Sequence, residues 1–135
     1  MTDSLSTRLV HAAGGDRSSG GVHVPVHPSV QYAYENVEDL IGVFQGKVKG
    51  SFNYARQGTP TTAALEAVIT ELEGGVGTVS FSTGMAALSA LFLTLLKAGD
   101  HLVTSSRVFG NTNSFFQTLE GLGIAVSRVD AGDAA

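Results

Sequence analysis

Residues 77–106 read GTVSFSTGMAALSALFLTLLKAGDHLVTSS, and the fold class turns on how this stretch divides. Thr78 to Phe81 is a short β-prone run, and HLVTSS, residues 101–106, is a second one. Between them, Ala86 to Lys97 is apolar on nearly every side, which is the pattern of a buried helix, and Ala98-Gly99-Asp100 stops it. The strand therefore turns into the helix through Ser82-Thr83-Gly84-Met85 alone. A turn of small residues at a helix start is a common place to hold an anion.

The same alternation extends in both directions. Downstream, Asn111 to Leu122 predicts a helix with Phe115, Phe116 and Leu119 facing inward, and IAVSRVD, residues 124–130, predicts a third strand. Upstream, Thr59 can cap a helix that has Pro60 at its first position. Leu65, Val68, Ile69 and Leu72 form its apolar stripe, and Gly74-Gly75 ends it. The order α-β-α-β-α-β with short connections predicts an α/β fold: a parallel sheet with helices on its faces and right-handed crossovers. Residues 1–58 differ, being rich in Gly, Ser, His and Pro, with Asn36 to Phe44 as the one helix-like piece. They read as an arm, and residues 59–135 as the α/β domain.

Composition narrows the function classes. A chain of 135 residues that is 43% hydrophobic and 15% charged can bury one core of ordinary size. Net charge is −4, and the eight Lys and Arg are scattered from Arg8 to Arg128, so no basic patch points to nucleic acid or an anionic membrane. Without cysteine there are no disulfides, thiolate metal sites or cysteine nucleophiles. The N-terminus carries Asp3 and no signal-like apolar run, and Met85 to Leu96 is too short to span a bilayer. A soluble cytoplasmic protein is the expectation.

Three places can carry chemistry. In STGM, Gly84 would let an anion approach the main chain. The Gly84 and Met85 amides would be open at the helix start, and Thr83 adds a hydroxyl; a plain helix cap explains the same residues. In Tyr54-Ala55-Arg56, the guanidinium suits phosphate, and a phenol two residues away on an extended chain points to the same side; a solvated arginine beside a packed tyrosine is the plain alternative. At Phe109-Gly110 an aromatic at a strand end can stack on a flat ring or can simply be core. His23 and His27 have ligand-like spacing, but Pro25 and Pro28 argue against a helix there, so no metal site is expected. Asp100 reads as a turn residue and Asp130 as a strand end, with no visible partner for acid-base work.

FNYARQGTPTTAALE, LEGGVGTVSFSTGMAAL, GDHLVTSSRVFGNT and GLGIAVSRVDAGD together resemble successive blocks of the pyridoxal-phosphate enzymes of cysteine and methionine metabolism, the cystathionine gamma-synthase and O-acylhomoserine sulfhydrylase group. The resemblance implies the three-layer, aspartate aminotransferase-like (fold type I) large domain, present in part. The cofactor would be pyridoxal 5'-phosphate. Gly84 and Met85 would donate amides to its phosphate, with Thr83 in the place of a family serine. Tyr54 and Arg56 match a Tyr-x-Arg pair that reaches the neighbouring subunit's cofactor, which implies a dimer or tetramer and explains the arm. Phe109 stands where most members have a tyrosine that stacks on the pyridine ring and helps in proton transfer, and Phe-Gly resembles some sulfhydrylase branches more than the lyases. The implied reaction replaces the acyloxy group of an O-acylhomoserine with a sulfur nucleophile, in methionine and cysteine biosynthesis by transsulfuration or direct sulfhydrylation. A cystathionine or methionine lyase is the alternative within the family. The family's Schiff-base lysine matches none of Lys47, Lys49 and Lys97 and is expected beyond Ala135, so the chain alone is expected to be inactive; a non-catalytic scaffold is the reading outside the enzyme class.

Overall fold

The structure, a computed structural model, describes residues 4–14, 20–21 and 23–133. It divides into two compact units, Met1–Ser80 and Phe81–Ala135.

Among the described residues, the first unit holds three helices, α1 (Leu5–Ala12), α2 (Val37–Phe44) and α3 (Pro60–Glu73). Each starts on a side chain that accepts an otherwise orphaned amide: Ser4 from Thr7, Asn36 from Asp39 and Thr59 from Thr62. Pro60 occupies the first turn of α3, and Gly74, at φ 62°, takes the left-handed conformation that closes it. The helix α1 was absent from the sequence reading. It packs against α3, with Arg8 and Glu71 paired at 2.8 Å. Along α3, Val68 and Ile69 are half-buried while Leu65 and Leu72 lie exposed, so the expected stripe turns inward only in part. The flank of α3 that is covered carries Glu66, Thr70 and Glu71, all three engaged in polar contacts.

One of those contacts corrects the sequence reading. Thr78 to Phe81 forms no strand. Both the Ser80 N–H and the Ser80 hydroxyl donate to Glu66 Oε1, at 2.8 and 2.7 Å, and Thr78 and Thr70 share a hydroxyl hydrogen bond at 2.7 Å. The segment is thus held along α3 by side chains, where a strand would need a neighbouring backbone.

The second unit consists of α4 (Gly84–Leu95), β1 (His101–Ser105), α5 (Gly110–Gly121) and β2 (Ala125–Val129). The strands pair in parallel, His101 opposite Ala125 through Ser105 opposite Val129, in a two-stranded sheet among the described residues. The order is therefore four helices before the first strand, with one βαβ crossover. Phe116 and Leu119 of α5, 2% and 0% exposed, pack with Ile124 as the core, and Phe92, Leu96, Leu102, Val108, Phe115 and Val126 surround them. Phe92 meets Phe116 edge to face at 5.7 Å, a favoured aromatic geometry. Gly123, at φ 83°, closes the α5–β2 turn, where a Cβ would stand 3.3 Å from that of Ala98; its carbonyl accepts the Gly99 N–H at 2.8 Å. The expected burial of α4 is not met: Leu91, Leu93 and Leu95 are exposed. A helix apolar all round has more surface than one helix neighbour can cover. Among the described residues, no helix is long and apolar enough to cross a membrane.

A core this small makes each member matter. Leu119→Ala should cost about 2–5 kcal/mol, a large share of the roughly 5–15 kcal/mol available to a whole domain, whereas the exposed Leu91→Ala should stay within about 0.5 kcal/mol. Urea unfolding followed by circular dichroism checks this; equal midpoints for the two variants would contradict the core assignment.

Candidate functional site

Thr83 begins α4 with extended backbone, φ −147° and ψ 155°. Its Oγ1 accepts the Ala86 N–H at 3.0 Å, and its carbonyl accepts the Ala87 N–H at 3.1 Å. The first N–H groups of the helix, those of Gly84 and Met85, have no intrahelical acceptor by the geometry of the α-helix, and the macrodipole favours negative charge in front of them. The capping and anion readings therefore coexist: the cap uses Thr83 Oγ1 as acceptor and leaves its O–H to donate. Gly84 is exposed, and a Cβ there would meet nothing within 4 Å. Its φ lies outside the left-handed region too. Neither packing nor conformation demands glycine at this position, and the main chain there is open to close approach.

The α5 start lies against the α4 start. Thr112, in the first turn of α5 and 7% exposed, donates its hydroxyl to Met85 Sδ at 3.6 Å. Since α5 follows the carboxyl end of β1, this contact places the STGM turn on the carboxyl side of the parallel pair, where open α/β sheets hold ligands. Phe109 stands at the same edge, at the cap position of α5, without a side-chain cap and 70% exposed. It lies outside the core cluster of this unit. The sequence reading passed over Arg107, which pairs with Asp130 at 2.8 Å across the ends of the two strands. Asp130 thus has a partner. Asp100 accepts the Lys97 N–H at 2.9 Å, in keeping with a turn role.

Tyr54 and Arg56 belong to the first unit. Tyr54 bridges Gln31 in antiparallel fashion, and the Ala55 N–H donates to the Val30 carbonyl at 2.9 Å. The Gln57 N–H then closes a turn on the Tyr54 carbonyl at 2.9 Å, so the backbone bends where extended chain was expected. The bend brings the two side chains together: Arg56 Cζ lies 5.3 Å from the Tyr54 ring centroid, a cation–π contact that leaves the guanidinium edge free to donate. They line a cleft of about 470 Å³ with Gln31, Tyr32, Asn53 and Gln57. The Tyr32 hydroxyl is buried without a hydrogen-bond partner and was not singled out in the sequence. A tilted ring contact of Tyr32 with Phe52 at 5.7 Å, and the Tyr34 hydroxyl donating to the Phe52 carbonyl at 2.7 Å, hold the segment in place.

Lys47 and Lys49 follow α2, and Lys97 follows the far end of α4, about 18 Å of helix from the STGM turn at 1.5 Å per residue. The His27 N–H donates to Thr61 Oγ1 at 2.9 Å, and among the described residues no group of three or more His, Asp or Glu could hold a metal. The STGM turn offers main-chain N–H groups and a hydroxyl, and the Tyr54–Arg56 cleft by itself offers a guanidinium; each suits an anionic oxygen.

Comparison with known proteins agrees with this chemistry. The family model for Cys/Met metabolism PLP-dependent enzymes matches residues 6–135. The O-acetyl-L-homoserine sulfhydrylase of Corynebacterium glutamicum is 40% identical over 96% of this chain and 30% of its own length. The cystathionine beta-lyase of Bacillus subtilis is 37% identical over 96% of this chain and 31% of its own. A Campylobacter jejuni protein crystallised under the name O-acetylhomoserine (thiol)-lyase, with N'-pyridoxyl-lysine-5'-monophosphate, superposes with a TM-score of 0.86 and 26% identity over 98% of this chain and 33% of that one. The chain spans about a third of the length of these relatives, and its fold is part of the fold type I architecture that the resemblance implied. This chain belongs to the pyridoxal-phosphate-dependent enzyme family of cysteine and methionine metabolism.

Proposed function

We propose that the protein takes part in gamma-replacement on an O-acyl-L-homoserine, with sulfide or a thiol amino acid as nucleophile, as a cytoplasmic dimer or tetramer. The observation that carries this reading is the α4 start: Gly84 has no packing duty, two amides face outward, and exposed Phe109 stands at the same sheet edge. In it, the Gly84 and Met85 amides and the Thr83 hydroxyl bind the cofactor phosphate, Tyr54 and Arg56 of a neighbouring subunit bind the same phosphate, and Phe109 stacks on the ring. Pyridoxal phosphate, when bound, supplies the electron withdrawal that amino-acid chemistry of this kind requires. Phe109 has no hydroxyl, so it orients and excludes water but carries no proton. The resemblance of Phe109-Gly110 to some sulfhydrylase branches supports replacement over elimination.

Arg56→Ala should weaken binding of pyridoxal phosphate roughly tenfold to a hundredfold, the span of about 1.5–3 kcal/mol for a hydrogen bond to a charged group. Titration calorimetry reads it, and an unchanged affinity would remove Arg56 from the site. Supplied with O-acetylhomoserine and sulfide, the protein expressed from its full coding frame should form homocysteine in excess of keto acid; mostly keto acid would make it a lyase. The 135-residue chain alone, with Lys97 at the wrong end of α4, should form neither product.

A further inference from the structure

Among the described residues, Thr112 is the buried polar side chain. A threonine or serine inside a helix commonly returns its hydroxyl to the carbonyl four residues earlier. Ser114 does so, donating to the Gly110 carbonyl at 3.2 Å. Thr112 is in the first turn, where the residue four positions back, Val108, precedes the helix, and its hydroxyl goes to Met85 Sδ, at 3.6 Å. A thioether is a weak acceptor, and burying a hydroxyl against it brings little net stability compared with burying the methyl of a valine of the same shape. Stability is therefore a poor reason for a threonine here.

Direction is a better one. Methionine has three rotatable side-chain bonds and adapts to its surroundings, so an unanchored Met85 would set the first turn of α4 loosely. Met85 is the second residue of that helix, and its N–H and that of Gly84 are the outward-facing amides. Thr112 lies three residues after Phe109, in the helix that Phe109 begins. One hydrogen bond thus joins the first turn of α4 to the first turn of α5. A displacement of the order of 1 Å in such a constellation can cost about a hundredfold in function.

We infer that Thr112 is a positioning residue of the anion-binding helix start, which through the Met85 sulfur aligns the Gly84 and Met85 amides and holds them in register with Phe109. It touches neither phosphate nor ring. The inference rests on the proposed function in assigning a phosphate to those amides.

The test uses the 135-residue chain labelled with ¹⁵N, as wild type, Thr112→Val, Thr112→Ser and Met85→Leu, with two readouts. Without ligand, the Gly84 and Met85 amides of Thr112→Val and Met85→Leu should shift and exchange with solvent severalfold faster, while Thr112→Ser keeps the wild-type pattern. With pyridoxal phosphate, the first two variants should bind roughly tenfold more weakly and Thr112→Ser should match wild type. If Thr112→Val does not fold, Met85→Leu removes the acceptor at nearly constant volume and decides the matter. Unchanged amides in Thr112→Val or Met85→Leu, or a Thr112→Ser that behaves like the valine variant, would overturn the inference. The amide exchange decides the role of Thr112 whether or not the wild-type chain by itself holds pyridoxal phosphate.

Discussion

The second unit depends on one packing event, the burial of Phe116 and Leu119 on a single face of α5. Burying side chains of this size is worth about 1.5–3 kcal/mol each, more than any exposed polar contact on the unit. The Leu119 carbonyl also accepts the N–H groups of Leu122 and Ile124, at 3.0 and 3.1 Å, so the residue that fills the core also ends the helix and leads into β2. Ile124 then enters the same core, and β2 starts in register with β1. A parallel pair with a helical crossover has both strand ends at one edge, which is why the loop after β1, the loop after β2 and the start of α4 meet there.

Charge has a different role in the two units. Arg107 and Asp130 are 79% and 44% exposed, so their pair contributes at most about 1 kcal/mol to stability. Its effect is to tie the loops after β1 and β2 to each other. Arg128 is engaged as well, with Asn113 and Glu120. With a net charge of −4, the chain as a whole does not steer an anion toward itself. Attraction at the site must be local, from aligned peptide dipoles and individual donors acting at short range.

The parts of this architecture set by neighbouring residues were legible in the sequence. Asn36, Thr59-Pro60 and Gly74 mark their helix ends because a cap is satisfied within three or four residues, and the crossover from residue 101 to 129 follows from alternating periods and short connections. What depended on distant partners was not legible. Thr78 to Phe81 has strand propensity, yet the Ser80 N–H goes to Glu66, fourteen residues earlier, which no local pattern signals. The apolar circumference of α4 signalled burial, but burial needs neighbours on every side. For the candidate site, glycine and hydroxyl at a helix start made STGM a candidate, and the Tyr-x-Arg spacing made its own pair one. The exposure of Phe109, the stacking of Arg56 on Tyr54 and the reach of Thr112 to Met85 are properties of packing. Ser4 ahead of Leu5, with Leu9 and Ala12 one face on, was a signal for α1 that the sequence reading did not use.

The α4 start alone does not neutralise a phosphate. A phosphate ester presents up to two negative charges and several acceptor oxygens, and two amides with one hydroxyl satisfy some of the oxygens but carry no full positive charge. In the second unit, Arg107 is held by Asp130, Arg128 by Glu120, and Lys97 lies past the opposite end of α4. Taking either arginine for the phosphate would break an ion pair and leave a carboxylate beside the anion. Arg56, by contrast, has no carboxylate within ion-pair distance among the described residues, and stacking on Tyr54 already restricts its side chain, so less conformational entropy remains to be lost on binding. Of the arginines placed in the candidate sites or beside them, it is the one free to neutralise a phosphate. In the proposed function that counter-charge is assigned to Arg56, whose side chain is held by Tyr54 and by no carboxylate among the described residues.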